Sequence, residues 1–174
     1  MCFFFKYKTY IRPHLEYAIQ AWAAYANGDI ETIERIQKRT TKIMDGFGKL
    51  CYEERLGKLG LTKLCTRWIR GDLIQQYKFM NLIDKIEWST PQKTTASLQC
   101  EGPATNIRGH KYRLSKQKAT RPQRVNFFTN RVVNPWNDLT QDAISARTTN
   151  KFKEHIDHQY GLHSYKKNTK IQSK

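Results

Sequence analysis

The sequence predicts a mostly α-helical protein, a small helical bundle followed by a basic, partly irregular C-terminal region. Three observations carry that prediction. Apolar residues in the first 83 positions recur at helical rather than alternating spacing. Asn27-Gly28, Gly46-Phe47-Gly48 and Gly60 cut this stretch into helix-length pieces. Beyond it the chain turns polar, then strongly basic. With 39% hydrophobic residues and a mean hydropathy of −0.76, only a small core with long polar stretches can form. The expected division is a helical domain over 1–83, a polar linker over 84–104, a basic region with short helices docking back over 105–160, and a disordered basic tail over 161–174.

Lys6–Trp22 is the densest aromatic and apolar run. Ile11, Leu15, Ala18/Ile19 and Trp22 fall on one helical face, which Tyr7, Tyr10 and Tyr17 widen. Pro13 lacks a backbone donor, so a break is expected at Ile11–Pro13, with the main helix opening at Pro13. Asp29 is the expected cap of the next helix. Its inward face reads Ile33, Ile36/Gln37, Thr40 and Ile43/Met44. Acidic Asp29, Glu31 and Glu34 lead, and basic Arg35, Lys38, Arg39 and Lys42 follow, an order that suits the helix dipole. The basic half fits either phosphate contact or a solvated face.

A short helix over Tyr52–Leu59 stops at Gly60. Thr62 opens the longest helix, Lys63 to about Leu82, with the stripe Leu61, Leu64/Cys65, Trp68, Leu73, Tyr77 and Met80. Arg70-Gly71-Asp72 lies inside this pattern and so does not form the exposed loop that an integrin ligand needs. Val125–Trp136 reads as a short helix ending near Pro135 and docking back on the first part. Thr149 or Asn150 caps a last helix, with Phe152 and Ile156 facing in.

The net charge is +16, which calls for an anionic partner, nucleic acid first and an acidic membrane surface second. Between Thr105 and Arg131 stand eight basic residues and no acidic one: Arg108, Lys111, Arg113, Lys116, Lys118, Arg121, Arg124 and Arg131. His110 and Tyr112 are interleaved. Basic residues with aromatics between them suit a nucleic-acid backbone and stacked bases. The alternative is a disordered tract that binds any polyanion. The expected phosphate contacts are Lys111, Arg113, Lys116, Lys118, Arg121 and Arg124, then Arg35, Lys38, Arg39 and Lys42, with Tyr112 as a stacking partner.

Catalysis is not expected of this chain. It has no adjacent Asp pair of the kind that holds two Mg²⁺ ions in a polymerase palm, and no phosphate-cradling glycine loop. His155, His158 and His163 are read as polar surface residues rather than metal ligands. Cys2, Cys51, Cys65 and Cys100 are scattered and read as reduced thiols of an intracellular protein. No small-molecule substrate and no membrane span are expected. MCFFFKYK is too short for a signal or a span, so the chain is expected to begin inside a larger protein, with partners of Phe3–Phe5 lying upstream.

Four blocks in order resemble the region that follows the palm in reverse transcriptases of LINE-type, jockey-like non-LTR retrotransposons. They are YKTYIRPHLEYAIQAW at Tyr7–Trp22; IERIQKRTTKIMDGF at Ile33–Phe47 running into YEERLGKLGLTKL at Tyr52–Leu64; RWIRGDLIQQYKFMN at Arg67–Asn81; and IRGHKYRLSK with FFTNRVVNPWNDL, at Ile107–Lys116 and Phe127–Leu139, followed by Phe152-Lys153. Trp68 stands where the family commonly has Arg, Thr140 where Pro usually follows, and Cys51 where Ser or Thr caps a helix. The resemblance implies a thumb-like bundle that holds a primer–template duplex with little sequence specificity, an upstream palm as a second partner, and a nuclear location. The parent RNA-directed DNA polymerase would use Mg²⁺, and this chain would hold no cofactor. An alternative is a non-catalytic structural relic that only braces an upstream palm.

Overall fold

Pro13 leaves the first helical path unbroken in the computed structural model, which describes residues 2–87, 110 and 112–161. Helix α1 (Cys2–Lys6) widens into a π-helical turn over Tyr7–Ile11, and α2 (Arg12–Glu16) continues from it. The Arg12 N–H reaches five residues back to the Tyr7 carbonyl. A regular helix would press the proline ring against the carbonyl four residues earlier, and the wider π turn relieves that clash. The expected break at Ile11–Pro13 therefore moves to Tyr17-Ala18, where Tyr17 is extended and Ala18 is left-handed at φ 50°. Helix α3 (Ile19–Trp22) follows. Tyr7 and Ile19 are buried, Ile11 and Leu15 half-buried, but Tyr10 and Tyr17 are exposed and do not widen the buried face.

Helix α4 (Asn27–Lys42) starts ahead of Asp29, which lies in its first turn rather than capping it. Its buried face is more polar than the pattern of isoleucines implies: Glu34, Gln37, Thr40 and Thr41 are inside, while Ile36 and Ile43 are exposed. The reason is a hydrogen-bonded centre. The Tyr7 hydroxyl donates to Gln37 Oε1 at 2.5 Å, and Gln37 Nε2 donates to the Tyr52 hydroxyl at 2.8 Å and to the Thr62 carbonyl at 3.0 Å. The Tyr52 hydroxyl in turn donates to Glu34. Burial pushes the Tyr7 hydroxyl up to about 12 and raises that of Tyr52 further, so both stay protonated donors. Tyr7, Met44, Tyr52, Leu56 and Leu61 form the apolar cluster around this centre.

Helix α5 (Tyr52–Leu59) has the predicted bounds, with Gly60 left-handed at its end. Cys51 caps it through its sulfur, which accepts from the Glu54 N–H at 3.4 Å while Glu54 accepts from the Cys51 N–H at 3.0 Å. Helix α6 (Leu64–Met80) is the longest among the described residues. Its first N–H, from Leu64, is taken by the Glu34 carboxylate at 2.9 Å, so the acceptor at its start comes from α4 and not from Thr62. Trp68 donates to the Leu15 carbonyl at 2.9 Å and meets Trp22 edge-on at 5.7 Å. Glu16 accepts from Arg12 and Arg67. Burial alone would raise its carboxyl, but the two guanidinium groups outweigh that and hold it below the usual range.

Short helices follow: α7 (Pro122–Val125), α8 (Phe128–Arg131), α9 (Val133–Asn137) and α10 (Gln141–Ile144), then α11 (Thr149–Gln159). Val125–Trp136 is thus broken into three short pieces, and Pro135 sits inside α9 rather than at its end. Thr148 caps α11 through its hydroxyl, and Phe152 and Ile156 are buried as expected.

The described residues form two compact units, one of 2–68 with 158–161, the other of 69–87, 110 and 112–157. The boundary falls inside α6 rather than after residue 83, because the side chains beyond Trp68 bond to later elements. Arg70 makes a two-pronged pair with Asp157 at 2.5 and 3.1 Å, Asp72 one with Arg131 at 2.7 and 2.9 Å, and the Tyr77 hydroxyl donates to the Ala146 carbonyl at 2.7 Å. Arg70 and Asp72 are therefore internal fixings of the second unit and not an exposed ligand. Its core stacks Tyr77 on Phe152 at 4.2 Å with Trp136 6.1 Å from Phe152, and Val132, Leu73 and Ile156 are also buried in this unit. Residues 88–104 of the expected linker and 162–174 of the expected tail lie outside the described residues. No helix among the described residues is long and apolar enough to cross a membrane, and no β-strand occurs among them.

Candidate nucleic-acid interface

The stretch Tyr112–Thr120 is non-helical, and side chains of α8 and α9 hold it by its backbone. Trp136 Nε1 donates to the Tyr112 carbonyl at 2.9 Å. Asn137 grips Leu114 twice, its oxygen accepting from the Leu114 N–H at 2.8 Å and its amide donating to the Leu114 carbonyl at 3.0 Å. Asn130 accepts from the Gln117 N–H at 3.2 Å and donates to the Arg124 carbonyl at 3.1 Å. Later residues bond to earlier ones, so the stretch runs antiparallel to α8–α9. The asparagine amides satisfy backbone groups of the stretch as a paired strand would.

This support sorts the basic residues. Leu114 is buried, and from Ser115 to Thr120 burial alternates, with Lys116, Lys118 and Thr120 exposed and Ser115, Gln117 and Ala119 half-buried. Lys116 and Lys118 therefore share the outer side. Arg121, just before α7, is exposed too. Arg124 is exposed but bonded to Gln117 and set over the Phe127 ring at 5.6 Å. Arg113 is half-buried, Tyr112 is exposed, and Lys111 lies outside the described residues. Arg131, the last cation of the tract, is committed to Asp72. Burial raises the Asp72 carboxyl while that guanidinium pulls it back.

His110 is buried, its Nε2 2.9 Å from the Trp136 carbonyl and its ring edge-on to the indole at 6.1 Å. Burial pushes the imidazole down, and nearby Arg113 adds to the shift. It is a neutral fixing for the start of the stretch, not a phosphate contact.

The second group of expected contacts lies in the first unit. Arg35, Arg39 and Lys42 are exposed on α4, spaced about one turn apart, and Lys38 is half-buried with its ammonium over the Tyr52 ring at 5.5 Å. These side chains and the 113–124 cations belong to different units.

Asn130, Asn137 and Trp136 were not legible as site residues, although two asparagines seven apart beside a buried tryptophan are a helical-face signal. Among the described residues no group of three His, Cys, Asp or Glu side chains is placed to hold a metal ion. His155 and His158 are exposed on α11, and His163 lies outside the described residues. Comparison with protein-family models, curated proteins and solved structures found no match.

Proposed function

We propose that this chain is the post-palm, thumb-like part of a LINE-type, jockey-like reverse transcriptase and that it binds nucleic acid through phosphates without catalysing a reaction itself. The observation that carries the proposal is the exposed, backbone-anchored row Lys116, Lys118 and Arg121, which bears no itinerant loop but a stretch fixed by Trp136, Asn137 and Asn130. A fixed cationic row loses less conformational freedom on binding than a loose tract. The α4 cations supply a second, weaker set. The four sequence blocks support the family.

Polymerase chemistry and its Mg²⁺ belong in this reading to an upstream palm, in the nucleus. The buried and half-buried carboxylates here do not fit the role: half-buried Glu16 and buried Asp157 are held by arginines, Asp72 by Arg131, and Glu34 by Tyr52 and the Leu64 N–H. The partner is a primer–template duplex, read with little sequence preference. The test is a salt titration of duplex binding by the whole chain. Each phosphate contact steepens the slope of log K against log salt by about 0.9 on duplex DNA. A flat slope, or no binding at low salt, overturns the proposal.

Exposed Phe5, Tyr10 and Tyr17 favour a second reading, in which the first unit mainly braces an upstream palm. It predicts that the isolated chain aggregates. A soluble monomer that melts cooperatively counts against it.

A further inference from the structure

A cavity of about 350 Å³ in the second unit lies apart from the basic row. Its buried side is Trp136 and Ile144 with half-buried Met80, and its exposed rim is Asn81, Tyr112 and Arg147. Two bonds fix the walls. The Trp136 indole holds the Tyr112 carbonyl at 2.9 Å, and the Tyr77 hydroxyl holds the Ala146 carbonyl, next to Arg147, at 2.7 Å. Asn81 Nδ2 donates to the Tyr77 carbonyl at 2.9 Å, which fixes its amide at the rim.

The lining has one phenol, one guanidinium, one side-chain amide, the Ser145 hydroxyl bonded back to the Gln141 carbonyl, and an apolar floor, and no carboxylate. The volume is at the lower end for small-ligand sites. We infer that this cavity takes one unpaired nucleobase together with its phosphate. The base lies against the Tyr112 ring and over the floor, its edge meets Asn81, and the phosphate meets Arg147. A base stacked within a duplex does not enter such a cavity, so the ligand is a nucleotide of a single strand or a free mononucleotide. The inference rests on the proposed partner class, nucleic acid, but uses none of the row cations Lys116, Lys118 and Arg121.

The experiment uses the whole chain and a short single-stranded oligonucleotide with a central 2-aminopurine. Blunt duplex binding is measured in parallel. Stacking predicts quenching of the probe on binding. Tyr112→Ala abolishes the quenching and weakens the oligonucleotide about 5- to 150-fold, while Tyr112→Phe keeps both. Arg147→Ala lowers the single-strand salt slope by about 0.7. Arg147 is exposed, so that variant stands even where Tyr112→Ala does not fold. Competition by a nucleoside monophosphate at matched nucleotide concentration identifies a mononucleotide site, and its failure to compete identifies a strand site. No quenching in the wild type, quenching unchanged by Tyr112→Ala, or a slope unchanged by Arg147→Ala overturns the inference. Quenching that persists without duplex binding overturns only the phosphate-row reading.

Discussion

The cations of α4 lie about a turn apart on a helix whose inner face is the polar centre of the first unit, whereas those of the 113–124 stretch lie mostly on non-helical backbone held by α8 and α9. The first support is local. Any sequence that forms the helix places Arg35, Arg39 and Lys42 outside once Glu34, Gln37 and Thr41 are inside. The second is non-local, because Lys116 and Lys118 are presented only while Asn137, Asn130 and Trp136 hold the chain beneath them. The same class of cation is therefore robust on one surface and conditional on the other.

The comparison breaks most strongly at Arg131. Arg131→Ala leaves Asp72 without its guanidinium in a nearly buried position, and the expected cost is about 3 kcal/mol. Denaturant unfolding measures it. Amide exchange should show the loss in the second unit, with α4 amides protected as before. Equal loss of protection in both units contradicts the idea that the two surfaces have separate supports.

A gentler break is Asn137→Ala. It removes both bonds to Leu114 and leaves a buried backbone pair to find other partners, at about 1–3 kcal/mol. Exchange of the Leu114 amide should accelerate, and duplex affinity should fall through the row while the α4 contribution stays. Unchanged Leu114 exchange would falsify the clamp.

The smallest effect expected is on pH. The buried His110 imidazole has its affinity for protons lowered on folding, so the unfolded chain binds the proton more tightly. Its contribution is fully favourable above the unfolded value near 6.5 and falls as pH drops through that value toward the lower folded one. The second unit should melt at lower temperature at pH 5 than at pH 7.5, and His110→Asn should reduce the difference. A melting temperature in the variant that varies with pH as in the wild type removes His110 from the account.

The helical class was legible because Leu61, Leu64, Trp68, Leu73 and Tyr77 keep helical spacing and are all buried. The α5 helix was legible because Gly60 stops it within one turn of its last apolar residues. Two kinds of feature were not. On α4 and just past its end the expected Gln37, Thr40 and Met44 are buried, but Ile36 and Ile43 are left outside, because long-range bonds from Tyr7 and Tyr52 turn Gln37 and Glu34 inward. Pro13 misled on the first helix, because a π turn absorbs it. Of the site, charge alone marked Lys116, Lys118 and Arg121, which are exposed, while the same basic run also contains Arg131, which is bonded to Asp72. Composition counts cations. It does not see which of them already has a carboxylate some 59 residues away.

The most direct test of the central claim is the salt dependence of blunt duplex binding for the wild type and two triple variants. One variant carries Lys116→Ala, Lys118→Ala and Arg121→Ala. The other carries Arg35→Ala, Arg39→Ala and Lys42→Ala. The account predicts a steep wild-type slope that the first variant flattens by about 2.7, three contacts of about 0.9 each, and the second by less. A first-variant slope equal to that of the wild type contradicts it, because a row that neutralises no phosphate is not the interface.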